Sequence, residues 1–121
     1  MKARIASVIV AVAGGATWPA FAQDVAGGKA VFESRCVGCH SLERNRVGPA
    51  LGTVIGRKAG TNPEFNYSDA LRNAGHVWDA AKLETWLVNP QAFVPGALMP
   101  FRLGDAKERK DVAAYLASLR K

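Results

Sequence analysis

The sequence predicts an all-α protein, with about four to five helices joined by long ordered loops. Apolar residues recur at helical spacing in separate segments, and residues suited to N-capping precede these segments. Glycine and proline cluster between the segments, which is typical of loops. No run of residues alternates apolar and polar side chains as a half-buried strand does.

The first predicted helix runs from Asp24, a good N-cap, to Arg35. Its best apolar stripe is formed by Val25, Gly28 and Phe32. Glycine lowers helix propensity by about 1 kcal/mol relative to alanine. We therefore expect Gly28 to lie where another helix approaches closely.

A long loop is predicted from residue 41 to residue 63. Glycine recurs there at positions 48, 52, 56 and 60, accompanied by Pro49 and Pro63. A loop of this length with no element of its own is uncommon unless something else organises it.

Two helical segments follow this loop. A short helical turn begins at Ser68 or Asp69. Asp79 is a good N-cap for a helix over residues 80–88, and Pro90 ends that helix.

The last part of the sequence predicts an irregular stretch and then a terminal helix. Pro95, Gly96 and Pro100 surround Met99, which predicts a rigid loop. Asp105 begins a variant of the capping box, with glutamate three residues later. The apolar stripe of the terminal helix consists of Val112, Tyr115, Leu116 and Leu119.

The start of the chain has the layout of a secretory signal peptide. Lys2 and Arg4 precede an apolar stretch over residues 5–16, and a small-x-small run ends at Ala22. A retained membrane anchor is disfavoured, because the apolar run is shorter than the ~18 residues that a spanning helix needs. We expect residues 1–22 to be removed and residues 23–121 to form one periplasmic domain with no integral membrane segment.

The most informative feature is the motif Cys36-Val37-Gly38-Cys39-His40, the attachment signature of c-type haem. In this motif the two thiols form thioethers to one haem, and His40 ligates the iron. A thioredoxin-like pair would need a βαβ context, and a zinc site would need two further ligands. A disulfide across two residues would close a very small loop and add little stability. Haem would also organise the loop over residues 41–63, and we expect the chain without haem to be largely unfolded.

The iron needs a second axial ligand, and the mature chain offers Met99 or His76. A methionine held in a loop between prolines is better explained as a ligand than as core filler. His76 follows Gly75 in a turn, where it can simply be exposed. With His40 and Met99 on the iron, such a haem passes single electrons and has little room for substrate.

The charge of the chain is mildly basic. The net charge is +6, and removing Lys2 and Arg4 leaves +4. Two ionised haem propionates would leave about +2. No Lys/Arg-rich tract with interleaved aromatic residues is present, which argues against nucleic-acid binding. The basic charge suits either an acidic docking partner or solubility alone.

The mature chain resembles the class I cytochromes c, in their mitochondrial-type branch with its bacterial relatives. The resemblance covers nearly all of residues 23–121. Besides residues 36–40 it includes GPALG at 48–52, GRKAG at 56–60, FNYSDA at 65–70, Trp78, WLVNP at 86–90 and VPGALMPF at 94–101.

The resemblance implies a role for each matching residue. His40 and Met99 correspond to the axial ligands, and the Pro49 carbonyl would accept a hydrogen bond from the His40 ring. Phe101 corresponds to the aromatic residue that shields the haem on the methionine side. The residues matched to the propionate-binding positions are Arg57, Tyr67 and Trp78.

The sequence departs from the family pattern at several of these positions. Trp86 stands where the family often has tyrosine, and its indole N–H donates with a geometry different from that of a phenol. Lysines that often surround the haem edge are replaced by Gln91, Ala92 and Leu98.

These observations predict a monomeric, periplasmic one-electron carrier that docks redox proteins at its exposed haem edge. A tightly bound haem subunit of an oxidoreductase is an alternative, and a haem enzyme or gas sensor with a labile methionine is another. A large exposed apolar patch would favour the subunit. The residues that would form this patch are Val37, Phe93, Leu98 and Leu103.

Overall fold

The structure, a computed structural model, describes residues 7–16 and 24–120. The predicted cleavage site after Ala22 lies outside the described residues, as do Lys2 and Arg4. Residues 7–16 form no helix, and their side chains are exposed. None of the helices in the two described ranges is long and apolar enough to cross a bilayer.

The predicted all-α class is confirmed. The described residues form five helices and no strand, with a single antiparallel bridge between Lys58 and Val77. The helices are α1 (Val25–Arg35), α2 (Asp69–Arg72), α3 (Ala80–Val88), α4 (Pro90–Phe93) and α5 (Ala106–Ser118).

Each predicted N-cap makes its hydrogen bond. The carboxylates of Asp24, Asp79 and Asp105 accept from backbone N–H groups in the first turns of α1, α3 and α5. These bonds satisfy N–H groups that have no partner within the helix. The donors are Gly27, Lys82 and Glu108, at 2.8, 2.8 and 2.9 Å.

The sequence does not predict helix α4, since Pro90 predicts only the end of α3. Proline ends a helix at the preceding residue, but it also suits the first position of a new helix. The Asn89 carbonyl accepts from the N–H groups of Ala92 and Phe93, both at 3.1 Å. The chain therefore turns at Asn89 and forms one more helical turn.

The core is centred on the crossing of α1 and α5. A Cβ at Gly28 would lie 1.9 Å from the Asp111 carbonyl oxygen, so only glycine permits this approach. Beside it the rings of Phe32 and Tyr115 lie 5.9 Å apart. The close helix approach predicted at Gly28 is confirmed.

The loop over residues 41–63 is organised in part by the protein itself. Gly56 N donates to Trp78 O at 2.8 Å, and Trp78 N donates to Arg57 O at 2.9 Å. Ala59 N donates to His76 O at 2.8 Å. Backbone pairing with residues 76–78 therefore holds the second half of this loop, and the organising role expected of haem stays a prediction.

Candidate haem-binding site

A cavity of about 470 Å³, walled mainly by apolar side chains, lies between the helices and the long loops. It is called the central cavity below. Every site residue predicted from the sequence lines it, namely Cys36, Cys39, His40, Pro49, Arg57, Tyr67, Trp78, Trp86, Met99 and Phe101. Further apolar walls come from α3, α5 and the loops. A cavity of this size suits a cofactor.

The end of α1 places the attachment motif at the cavity. Cys36 N donates to Phe32 O at 2.9 Å, which closes the last helical turn. The N–H groups of Cys39 and His40 both donate to Cys36 O, at 3.2 and 2.9 Å. This tight turn brings both sulfur atoms and the imidazole to the same wall.

Both cysteines are free thiols. Cys36 is half-buried, and burial raises the pKa of its thiol to about 11. No group of three or more His, Cys, Asp or Glu side chains suited to a metal ion occurs within 7–16 and 24–120. A zinc site built on the two thiols therefore finds no further ligands in this part of the chain.

The Pro49 carbonyl fixes the protonation of the His40 ring. His40 Nδ1 lies 2.8 Å from Pro49 O. A carbonyl can only accept a hydrogen bond, so Nδ1 carries the proton. Burial lowers the pKa of His40, although the bond to Pro49 acts in the opposite direction. The lowered pKa favours the neutral ring. A neutral ring protonated on Nδ1 leaves the lone pair of Nε2 free for a metal ion.

Gly48 lets the chain pass directly over this ring. A Cβ at Gly48 would lie 2.1 Å from His40 Cε1, well inside van der Waals contact. Gly48 N also donates to Cys39 O at 2.9 Å. The glycine therefore both permits and fixes the position of the imidazole.

Of the two sequence candidates for the second ligand, only Met99 lines the central cavity. The ring of His76 lies outside it, with centroids 4.3 Å from Trp78 and 5.3 Å from Phe93. His76 Nε2 is buried without a hydrogen-bond partner in the described part of the chain. His76 thus packs against Trp78 and Phe93 and does not line the cavity.

Three residues are predicted to bind a propionate: Arg57, Tyr67 and Trp78. Neighbouring loop residues hold the first two in place through hydrogen bonds. The Arg57 guanidinium donates to Thr53 Oγ1. Tyr67 Oη accepts from Asn62 N at 3.2 Å, which leaves its O–H proton available to another acceptor.

Trp86 and Phe101 complete the apolar wall. The Trp86 ring meets Trp78 edge-on, with centroids 5.4 Å apart. Both tryptophans are more than nine-tenths buried. Edge-to-face pairs of this kind are favourable beyond the area that they bury.

Sequence reasoning missed two polar residues that shape the site. Asn45 Oδ1 accepts from Ala50 N at 2.8 Å and from Asn62 Nδ2 at 2.9 Å, and so supports the turn that carries Pro49. The preference of asparagine for such loop contacts was the available signal. The amide of Gln91 on α4 donates to Met99 O, and nothing in the sequence pattern indicated this contact.

Comparison with known proteins identifies the family. Residues 25–120 match the sequence profile of the family described as cytochrome c. A cytochrome c2 from Rhodopseudomonas palustris is 42% identical over 115 residues, which cover 81% of this chain and 100% of that protein.

Two solved structures share the fold. Ferricytochrome c2 from Rhodopseudomonas palustris has a TM-score of 0.74 at 41% identity, covering 80% of this chain and 99% of that one. Cytochrome cH from Methylobacterium extorquens has a TM-score of 0.73 at 42% identity, covering 78% of this chain and 98% of that one.

Two free thiols, a neutral imidazole and apolar walls are the groups that covalent haem requires, and they meet at one cavity. With the matches above, they show that the chain belongs to the cytochrome c family: it carries one haem c, bound through Cys36 and Cys39, and it transfers electrons rather than acting as an enzyme.

Proposed function

We propose that the protein is a periplasmic electron carrier in which His40 Nε2 and Met99 Sδ are the axial ligands of the haem iron. One observation carries this proposal. His40 and Met99 come from opposite ends of the domain and line the same cavity, whereas the competing His76 packs behind its wall.

Bound haem supplies a one-electron iron couple, and the residues around it decide what that couple can do. His40 and Met99 would both ligate the iron and would so keep substrates from the metal. A thioether ligand raises the reduction potential relative to a second imidazole. The apolar walls disfavour the extra positive charge of the ferric iron, and this also raises the reduction potential.

Arg57, Tyr67 and Trp78 bind the propionate groups in this proposal. A buried carboxylate needs hydrogen bonds and compensating charge. Arg57 supplies a cation at the cavity wall, and Tyr67 retains a proton to donate. Lys58 also lines the cavity and adds a second positive charge.

Residues 1–22 are removed in this proposal, and the mature domain begins at residue 23. The charged start, the apolar stretch and the small-x-small run support export. The intact mass of holoprotein from a periplasmic fraction tests this proposal. It should equal residues 23–121 plus one haem, and a retained leader would contradict it.

The protein works as a freely diffusing monomer in this proposal, and redox partners dock near Arg35, Val37 and Leu98. Leu98 is 78% exposed and Val37 42% exposed, which gives the docking face a small apolar centre. Leu103 is only 3% exposed and Phe93 is half-buried, so neither enlarges this apolar centre, which supports a carrier over a tightly bound subunit. A small apolar centre suits brief encounters.

Replacing the second ligand tests the proposal. In Met99→Ala the haem should stay attached through its thioethers, the reduction potential should fall, and carbon monoxide should bind the ferrous form readily. The wild type should bind carbon monoxide poorly. Rapid binding to the wild type would instead support a gas sensor or haem enzyme, and an unchanged potential in the variant would refute Met99 as the ligand.

A further inference from the structure

The side chain of Gln91 connects α4 to the residue proposed as the second axial ligand. Its amide Nε2 donates to the backbone carbonyl of Met99. We propose that Gln91 is a positioning residue that holds the Met99 segment, residues 98–102, against the central cavity. This inference rests on the proposed ligation by Met99.

The Met99 segment has few other attachments. It is fixed before its start, where Ala97 N donates to Val94 O at 2.9 Å, and after its end, where Leu103 N donates to Leu87 O at 2.8 Å. Between these points, the described residues form no hydrogen bond to the Met99 segment other than that of Gln91. The single contact falls on Met99 itself.

The side chains around Met99 do not replace this contact. Leu98 is 78% exposed, and Pro100 is exposed and has no N–H to donate. Met99 and Phe101 are half-buried and pack against the core. The backbone of the Met99 segment therefore depends on Gln91 for its polar attachment.

Helix α4 gives Gln91 a rigid base. Pro90 is among the most completely buried side chains and fixes the first position of the helix. The Pro90 carbonyl accepts from Val94 N at 2.9 Å, which closes the helix next to the Met99 segment. Gln91 itself is half-buried, so water competes only partly for its amide.

Loss of this bond should increase the population of molecules in which the Met99 segment has moved away from the cavity. We expect an increase of about fivefold, which corresponds to ~1 kcal/mol when 1.4 kcal/mol is about tenfold. Imidazole reports this population in the ferric holoprotein, because it binds the iron only when Met99 has left.

The experiment compares the apparent imidazole affinity of the wild type with that of four variants, all as holoproteins at neutral pH. Gln91→Ala removes the amide, and Gln91→Glu keeps its size but replaces the donor with an acceptor facing Met99 O. Thr85→Ala is the matched control, because it removes a neutral hydrogen bond to Ala81 O on the exposed face of α3. Met99→Ala tests the ligand itself.

We expect about fivefold tighter imidazole binding in Gln91→Ala, at least as much in Gln91→Glu, and no change in Thr85→Ala. Hydrogen exchange of the Leu103 amide, which donates to Leu87 O just after the Met99 segment, should accelerate in the two Gln91 variants and not in Thr85→Ala. If Gln91 merely filled space, Gln91→Glu would behave as the wild type, which would overturn the inference.

The design separates this inference from the proposed ligation. If Met99→Ala binds imidazole tightly but both Gln91 variants match the wild type, the positioning role fails and the ligation stands. If Met99→Ala itself matches the wild type, the ligand assignment fails, and the role of Gln91 fails with it.

Discussion

The imidazole of His40 is constrained on two sides by the same short loop. Pro49 O accepts from Nδ1 at 2.8 Å and thereby selects the tautomer. Gly48 lies so close to the ring that no side chain fits between them. These contacts within the protein orient the imidazole without any contribution from a metal bond.

Substituting Gly48 should therefore disturb His40 directly. In Gly48→Ala the new methyl group would overlap the ring, so the imidazole must rotate and lose its bond to Pro49. We expect a loss of about 1–3 kcal/mol in the free energy of unfolding of the holoprotein. Denaturant titration measures this change, and the yield of haem-loaded protein should fall with it.

Gly104→Ala is the control, because a Cβ at Gly104 meets nothing within 4 Å. This variant should unfold as the wild type does. Equal stability of Gly48→Ala and Gly104→Ala would show that the loop can move away from His40, contrary to the geometry described.

Between elements, a buried carboxylate joins the two crossing helices. Asp111 on α5 is 4% exposed and accepts from Asp24 N, at the start of α1, at 3.1 Å. Lys107 Nζ donates to its other oxygen. The hydrogen bond from Lys107 is the main cause that lowers the pKa of Asp111, and burial opposes it.

A lowered carboxyl pKa makes the crossing sensitive to acid. The charged form is favoured in the folded state, so its contribution to stability is present above the ordinary aspartate pKa of 3.8. That contribution is lost as the pH falls through the lower pKa of the folded state. Asp111→Asn should therefore be less stable than the wild type at neutral pH, and the difference should shrink below about pH 4.

Urea unfolding at a series of pH values measures this difference. Asp69→Asn is the control, because Asp69 pairs with Arg72 on the surface, with its side chain 88% exposed. Exposed pairs contribute little. A difference between Asp111→Asn and the wild type that persists unchanged in acid would contradict the role of the charge.

The sequence predicted elements well where the signal was local. Asp79 as N-cap and Pro90 as terminator gave the bounds of α3 as the structure has them. Contacts between distant segments were not predictable in the same way. The pairing of residues 56–59 with residues 76–78 joins two loops with no strand pattern, and it depends on backbone atoms that every residue has.

The same division applies to the site. The spacing of the attachment motif predicts Cys36, Cys39 and His40, and a loop bounded by prolines predicts Met99. Gln91 was missed, because its partner is a carbonyl eight residues away that comes near only once α4 has formed.

At the scale of the whole molecule, stability is limited by the size of the core. A chain of about a hundred residues buries only a modest apolar core by itself. A haem held among the apolar walls of the central cavity would supply much of the missing buried apolar surface. The fold therefore depends on the haem.

The double variant Cys36→Ala/Cys39→Ala should accordingly be largely unfolded when prepared without haem. Far-ultraviolet circular dichroism should show a loss of most of the helical signal relative to the holoprotein, and α1 and α5 should lose hydrogen-exchange protection. A cooperatively folded variant with native helix content would show instead that the walls collapse at little cost.

The absorption spectrum of the ferric holoprotein tests the ligation most directly. Coordination by the Met99 sulfur predicts a methionine-to-iron charge-transfer band in the wild type, which disappears in Met99→Ala while the haem remains attached. A wild-type spectrum without this band, or a band that persists in Met99→Ala, would contradict ligation by His40 and Met99.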